Sequence, residues 1–139
     1  MRVSAATPEA LRAIEARTGC VLTANARGIQ ATDSRGKVRG VVAYDAWTEN
    51  AVQAHMWTDS AIVWRSLLPA VFAYPFLEAG KGLLLGIIPA DNLKSSEMAH
   101  RLGFRLAYRV RDGWAVGVDL LCFEMRREEC RRLKGLHHG

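Results

Sequence analysis

The chain has 139 residues, half of them hydrophobic, and a formal net charge of +5 at pH 7. This length allows one domain with a sizeable core and excludes two ordinary ones, so we expect a single domain over residues 1–139 with a basic tail from about residue 126. No apolar run approaches the roughly 20 residues of a membrane span, and no signal-peptide pattern opens the chain, so we expect a cytoplasmic protein without a membrane partner.

The first half of the chain predicts one helix followed by an antiparallel meander. Thr7 can cap a helix with Pro8 in its first turn, apolar residues follow at helical spacing, and Gly19 ends it. Short strands separated by turn-forming residues come next. They are expected near 28–33, 38–47 and 51–58.

The middle of the chain predicts a helix and a buried strand. Apolar residues recur at helical spacing over 62–79, although Pro69 and Pro75 each remove a backbone donor. The continuous apolar run over 83–88 is typical of a strand that is buried on both faces. Parallel pairing of this run with the 51–58 strand, through the helix between them, is therefore expected.

The last part of the chain predicts a capped helix and a terminal hairpin. Asn92 can cap the helix and Gly103 can close it, while Asp112 and Gly113 supply a turn between two strands over 104–125. The element order predicts a mixed α/β fold with a twisted, mostly antiparallel sheet. One central parallel strand pair is flanked by helices.

The segment from Asn92 to Phe104 carries a specific resemblance. It has an asparagine, a small residue three positions on, and a closing Leu-Gly-Phe. This pattern resembles the segment that closes the acetyl-CoA site in the GCN5-related N-acetyltransferase (GNAT) superfamily. The chain is also similar to short acetyltransferase-like chains of bacteriophages and prophages, through its Tyr-Pro-Phe segment and its Glu-Glu-Cys-Arg tail.

The resemblance implies a GNAT-like acyl-CoA N-acyltransferase fold, with acetyl-CoA as co-substrate and direct transfer of acetyl to a primary amine. In this family the central parallel strands splay apart, and pantetheine enters the gap and bonds to the backbone. A backbone N–H near Met56 or Trp57 would polarise the thioester carbonyl. Asn92 would bond the pantetheine amide in addition to capping its helix, or it would only cap. The implied cofactor walls are Met56, Trp57 and Thr58 on one strand, Ile87 and Ile88 on the other, and Ser95 on the helix.

The pyrophosphate end of the expected cofactor site lacks the family signature. The glycine positions of the Arg/Gln-x-x-Gly-x-Gly/Ala motif fall on Ala61, Val63 and Arg65. We expect Arg65 and Ser66 to bind the phosphates instead, since a guanidinium binds phosphate in bidentate fashion and a hydroxyl donates one further bond. An exposed helix arginine without function is the alternative.

The acid and the base of the reaction are predicted less directly. Many relatives place a tyrosine acid seven residues after the asparagine, and here that position is Ala99. Tyr108 is the predicted acid, with His100, Tyr74 and water as alternatives, and the thiolate can also leave without an acid.

His55 is the predicted base, because imidazole titrates near neutral pH and His55 lies late on the strand that would meet the acetyl group. Asp45, Glu49 and Asp59 are alternatives that would act through water.

Other functions remain open at this stage. An inactive CoA-binding or protein-interaction module is the main alternative, and nucleic-acid binding is disfavoured because it rests only on net charge. The acceptor is a small-molecule amine or a protein amine, and the resemblance allows a homodimer through the terminal hairpin. The cysteines lack the spacing of a zinc site or a disulfide framework, so no metal is expected. They are Cys20, Cys122 and Cys130.

Overall fold

The computed structural model describes residues 1–133, which form one mixed sheet of seven strands flanked by three α-helices. The strands are β1 Arg2–Ala5, β2 Arg27–Thr32, β3 Val38–Asp45, β4 Ala51–Thr58, β5 Leu83–Pro89, β6 Arg105–Ala115 and β7 Val118–Arg126, and the helices are α1 Pro8–Thr18, α2 Ala61–Ala73 and α3 Leu93–Leu102. None of these helices has the length and apolar character needed to cross a membrane.

The sheet order is β1-β2-β3-β4-β5-β7-β6, and every neighbouring pair is antiparallel except β4 and β5. The parallel pair arises because α2 carries the chain from the end of β4 back to the start of β5. The predicted mixed α/β fold and its central parallel pair are thereby confirmed.

The helix ends follow from local sequence. The Thr7 hydroxyl accepts the Ala10 N–H at 3.2 Å, and Gly19 closes α1 with a φ of 76°. A glycine suits this left-handed conformation because it has no Cβ to clash. The predicted 62–79 helix instead divides into α2 and a π-helical turn over Tyr74–Glu78. Pro75 lies in that turn and has no N–H to continue the regular pattern.

The two faces of the sheet pack against different helices. On one face, α2 and α3 bury a large core around Leu67, Phe72 and Leu84. On the other face, α1 buries a smaller core around Ile14, against which Trp57 packs. Because side chains alternate along a strand, the even-numbered residues of β4 face α2 and the odd-numbered ones face α1.

The hairpin turn is not where the sequence indicated. β6 continues through Asp112 and Gly113, and the chain reverses at Val116 and Gly117. Asp112 adopts a φ of 54°, and its carboxylate accepts the Gly117 N–H at 2.9 Å, which ties this irregular part of β6 to the real turn. The strand β1 was also not predicted.

The stretch predicted as a basic tail is folded as far as the structure describes it. Short helical turns over Arg127–Glu129 and Arg131–Leu133 follow β7, and Leu133 is 1% exposed within the main core. The Arg127 guanidinium donates to the Lys81 carbonyl oxygen at 3.1 and 2.7 Å. Residues 134–139, the rest of the predicted tail, lie outside the described residues.

Replacement of Leu133 tests whether this segment is part of the core. Leu133→Ala is expected to lower the free energy of unfolding by about 2–4 kcal/mol, because it leaves a cavity beside α2. Glu128→Ala, in the same segment but exposed, should change it by less than about 0.5 kcal/mol. Chemical denaturation followed by circular dichroism measures both, and equal effects would show that Leu133 is not packed.

Candidate active site

The parallel pairing in the middle of the sheet ends partway along the strands. β4 and β5 pair as far as Ala54 and Gly86 and then separate. β4 remains paired with β3 to Thr58, and β5 remains paired with β7 to Pro89. Each half of the sheet therefore keeps its own ladder, and a gap opens between the second halves of β4 and β5. The splayed strand pair expected from the sequence is present.

A cavity of about 330 Å³ lies at this gap. Its lining comes from both faces of the sheet, since it includes residues of α3 on one face and of the end of α1 on the other. Six of the predicted site residues line it: His55, Met56, Ile87, Ile88, Asn92 and Ser95. Cleft residues that sequence reasoning missed are Arg17, Thr18, Cys20, Gly86 and Trp114.

Gly86 leaves one wall of the cavity open. A Cβ built at this position has no heavy atom within 4 Å among its surroundings, although the residue lies in a central strand. Glycine inside a strand often marks a close approach by a ligand or by another backbone. The single glycine within the apolar run of β5 was therefore a signal in the sequence for this part of the site.

Asn92 caps α3 and also lines the cavity. Its Oδ1 accepts the Ser95 N–H at 3.1 Å, which satisfies one donor of the first helical turn. Within residues 1–133 its Nδ2 has no hydrogen-bond partner. The cap therefore uses only the oxygen of the amide, and the nitrogen can donate to a ligand.

His55 is held by a buried carboxylate. Its Nε2 lies 2.8 Å from Oδ1 of Asp45, whose side chain is 3% exposed. Oδ2 of Asp45 accepts the Thr23 N–H at 3.1 Å. An ionised carboxylate can only accept, so this contact requires Nε2 of His55 to donate, and in a neutral imidazole the lone pair is then on Nδ1.

Cys20 lies in the same cleft but is a poor nucleophile. Burial raises the pKa of its thiol, and the carboxylates of Asp45 and Glu15 raise this pKa further. The thiolate is the reactive form of cysteine, so near neutral pH this side chain is mostly in the unreactive thiol form. The cleft therefore contains the imidazole of His55 but no readily ionised thiol.

The predicted acid lies outside the cleft. Tyr108 is 54% exposed on the edge strand β6, and contact with Cys122 raises the pKa of its hydroxyl. Among the alternatives, Tyr74 packs on Tyr44 at 5.0 Å beside the core, and His100 packs on the ring of Phe123. None of the three lines the cavity, since Tyr108 lies on the edge strand of the hairpin, His100 packs on Phe123 and Tyr74 lies in the turn after α2.

The predicted phosphate ligands and two strand residues also lie away from the cavity. Arg65 is exposed on α2, and the Ser66 hydroxyl donates to the Ile62 carbonyl oxygen at 3.2 Å, within its own helix. Trp57 packs beneath α1, and Thr58 lies at the end of β4.

The N-terminus of α2, where the phosphates were expected, is already partly occupied by protein groups. The Ser60 hydroxyl accepts the Val63 N–H at 3.4 Å, and Val63 is buried. Arg39 forms an ion pair with Asp59 and holds the pKa of that carboxyl below its usual range. An anion here meets a carboxylate and its arginine partner rather than a glycine-lined pocket.

Comparisons of sequence find no matching protein-family model and no matching curated protein. Comparison of structure finds solved relatives of the fold. Spermidine/spermine N-acetyltransferase SpeG from Vibrio cholerae has a TM-score of 0.76 at 12% identity, over 99% of this chain and 96% of that one. A chimera of Vibrio cholerae SpeG and hSSAT has a TM-score of 0.76 at 10% identity, over 92% and 98%. A probable acetyltransferase has a TM-score of 0.61 at 18% identity, over 75% and 62%. The chain therefore has the GNAT-like fold of these acetyltransferases.

Removal of the Asp45 carboxylate tests the His55 contact. Asp45→Ala is expected to lower the free energy of unfolding by about 1–3 kcal/mol, because it removes the acceptor of the mostly buried His55 ring N–H and of the Thr23 backbone N–H. In proton NMR, the imidazole N–H signal of His55 should exchange slowly in the wild type and be lost in this variant. Asp91→Ala, in an exposed turn, is the matched control and should change neither measurement.

Proposed function

We propose that the protein transfers the acetyl group of acetyl-CoA to a primary amine by direct attack. The observation that carries this proposal is the gap between β4 and β5, where a cavity lined from both faces interrupts the sheet. The fold shared with spermidine/spermine N-acetyltransferase supports it.

The donor side of the reaction is assigned to the gap and α3. Pantetheine would lie between Met56 and Ile87, where the two strands no longer bond to each other, and would satisfy their free backbone groups. Asn92 Nδ2 would donate to a pantetheine amide, and Ile88 and Ser95 would complete the walls. A backbone N–H near Met56 or Trp57 would stabilise the oxyanion that forms on the thioester carbonyl.

The acceptor side is assigned to His55 on the α1 face. The amine nitrogen attacks the thioester carbon, the C–S bond breaks, and Nδ1 of His55 takes the proton that the amine loses. Asp45 fixes the imidazole through Nε2 and stabilises the positive charge that develops. CoA leaves as the thiolate or takes its proton from water, in keeping with the position of Tyr108 outside the cleft.

The start of α2, where the pyrophosphate of CoA would lie, favours a second candidate function, a CoA-binding or protein-interaction module without catalysis. Ser60 and Asp59 at the start of α2 leave less room for a pyrophosphate than the glycines of the family motif would. Arg65 and Ser66 remain the proposed phosphate ligands, with Arg65 exposed and free to reorient. Binding of acetyl-CoA without transfer to any amine would favour this candidate.

The proposals for the oligomeric state and for the acceptor amine are those made from the sequence. A homodimer through the β6–β7 hairpin is a prediction in keeping with the exposure of Leu106, Tyr108 and Val110 on its edge strand. A small-molecule amine and a protein amine both fit the reaction.

Filling the gap at Gly86 tests the donor site. Gly86→Val is expected to abolish acetyl-CoA binding, because its side chain would enter the cavity, while stability is kept since the built Cβ meets no neighbour. Gly86→Ala, with a smaller side chain, should weaken binding only in part. Calorimetry measures binding. At an acetyl-CoA concentration a hundred times the Kd, the wild-type protein should gain about 2.7 kcal/mol in its free energy of unfolding. Unchanged binding in Gly86→Val would place the cofactor elsewhere.

Replacement of His55 tests the chemistry. His55→Gln is expected to lower kcat for acetylation by about 10²–10⁴-fold, because it removes the general base. Release of CoA thiol with and without amines measures transfer and separates it from hydrolysis. Acetyl-CoA binding and the melting temperature should stay close to wild type in this variant. An unchanged rate would remove His55 from the mechanism.

A further inference from the structure

The acceptor side of the cavity carries a cation with a fixed position. The guanidinium carbon of Arg17, near the end of α1, lies 4.3 Å from the ring centroid of Trp57. Cation–π stacking leaves the N–H donors at the edge of the guanidinium plane free for other partners. The ion pairs formed within residues 1–133 do not include Arg17.

The cavity offers no acidic side chain to balance this cation. Among the described residues that line it, the titratable ones are Arg17, Cys20 and His55, and none is an aspartate or glutamate. Two carboxylates lie close enough to Cys20 to act on its thiol, Asp45 and Glu15. Asp45 is buried and already bonded to His55 and to Thr23, and Glu15 accepts the Leu22 N–H at 2.9 Å. A polycationic amine would therefore meet the Arg17 cation in the cavity lining, and the two carboxylates near the lining already accept hydrogen bonds from the protein.

Arg17 and His55 lie within reach of one small molecule. Trp57 follows His55 by two residues on the α1 face of β4, a spacing of about 7 Å along a strand. Arg17 is held on Trp57, and it lines the same cavity as His55. An amine at His55 and an anionic group at Arg17 would be separated by a few covalent bonds.

We propose that the acceptor is an amine that carries an anionic group a few bonds away, as in an amino acid or at the start of an acidic peptide, and that Arg17 binds this group. This inference rests on the proposed acetyl transfer and adds its substrate class. It separates this chain from SpeG, which is a spermidine/spermine N-acetyltransferase and therefore acts on polyamines.

The experiment compares three amines of matched length: 4-aminobutyrate, butylamine and 1,4-diaminobutane. For the wild type, kcat/KM should be about fivefold higher for 4-aminobutyrate than for butylamine, and lowest for the diamine, as expected for one partly exposed charge pair. Arg17→Gln should remove the preference for 4-aminobutyrate. Arg17→Glu should reverse the order in favour of the diamine.

Two further comparisons show whether the anionic group belongs to a free amino acid or to a peptide. Peptides that begin glycyl-aspartyl and glycyl-asparaginyl distinguish an acidic protein N-terminus from a free amino acid, and a preference in either pair supports the proposal. Arg12→Gln, on an exposed arginine of the same helix that pairs with Glu9, is the matched control and should leave all ratios unchanged. Binding of 4-aminobutyrate and butylamine to the complex with CoA, which has no acetyl group to transfer, reports the same preference by calorimetry without turnover.

The outcomes separate the two proposals. If acetyl-CoA does not bind and no amine is acetylated, the proposed function fails and this inference fails with it. If transfer or binding occurs but neither acidic member of a pair is preferred, only this inference is overturned. It is also overturned if Arg17→Gln weakens acetyl-CoA binding and affects every amine equally, since Arg17 would then bind a phosphate of the cofactor.

Discussion

The end of pairing between β4 and β5 after Ala54 and Gly86 is the constraint on which the rest of the molecule depends. A sheet that is interrupted at its centre would be unstable if its halves relied on each other. Here β4 continues along β3, and β5 continues along β7, so only the bonds between the two central strands are given up. The backbone groups that face the gap then lack protein partners, and buried backbone groups need one.

The core supports this opening from one side. α2 and α3 both pack on the same face, around Leu67, Phe72 and Leu84, and they hold the two halves of the sheet in a fixed relation. Leu133, after the last strand, is buried in the same core, so the chain past β7 also contributes to this support. The gap is therefore a property of a rigid frame and does not depend on a flexible loop.

The opposite face supplies the polar groups. Asp45 ends β3 with its side chain almost fully buried, and its charge is offset by donors from His55 and Thr23. A buried carboxylate is costly unless it is paired and hydrogen-bonded, so the loop after α1 and the β4 histidine are fixed together. The same loop brings Cys20 into the cleft, and the end of α1 brings Arg17.

The sequence predicted what depends on local pattern. The capped helix at Asn92, the strand over 83–88 and its parallel partner are all read from spacing and composition, and the structure contains them. The strand was expected to be buried on both faces, but apart from Leu84 its residues are half-buried. The errors come from contacts between distant segments. The hairpin turn lies at Val116 and Gly117, where the Gly117 N–H donates to the Asp112 carboxylate, and the β6–β7 register shifts between Val110 and Ala115. Arg17 and Cys20 reach the cleft only through the packing of α1, and no local spacing indicates that.

A cavity lined from both faces of a sheet also bears on the order of events at the site. Two molecules that approach a reaction centre from opposite sides do not block each other's path, and neither must leave before the other can enter. On the proposed assignment, donor and acceptor would form a ternary complex by either order of addition. The acetylated amine and the free thiol would then leave by separate routes, so that release of one product does not wait for the other.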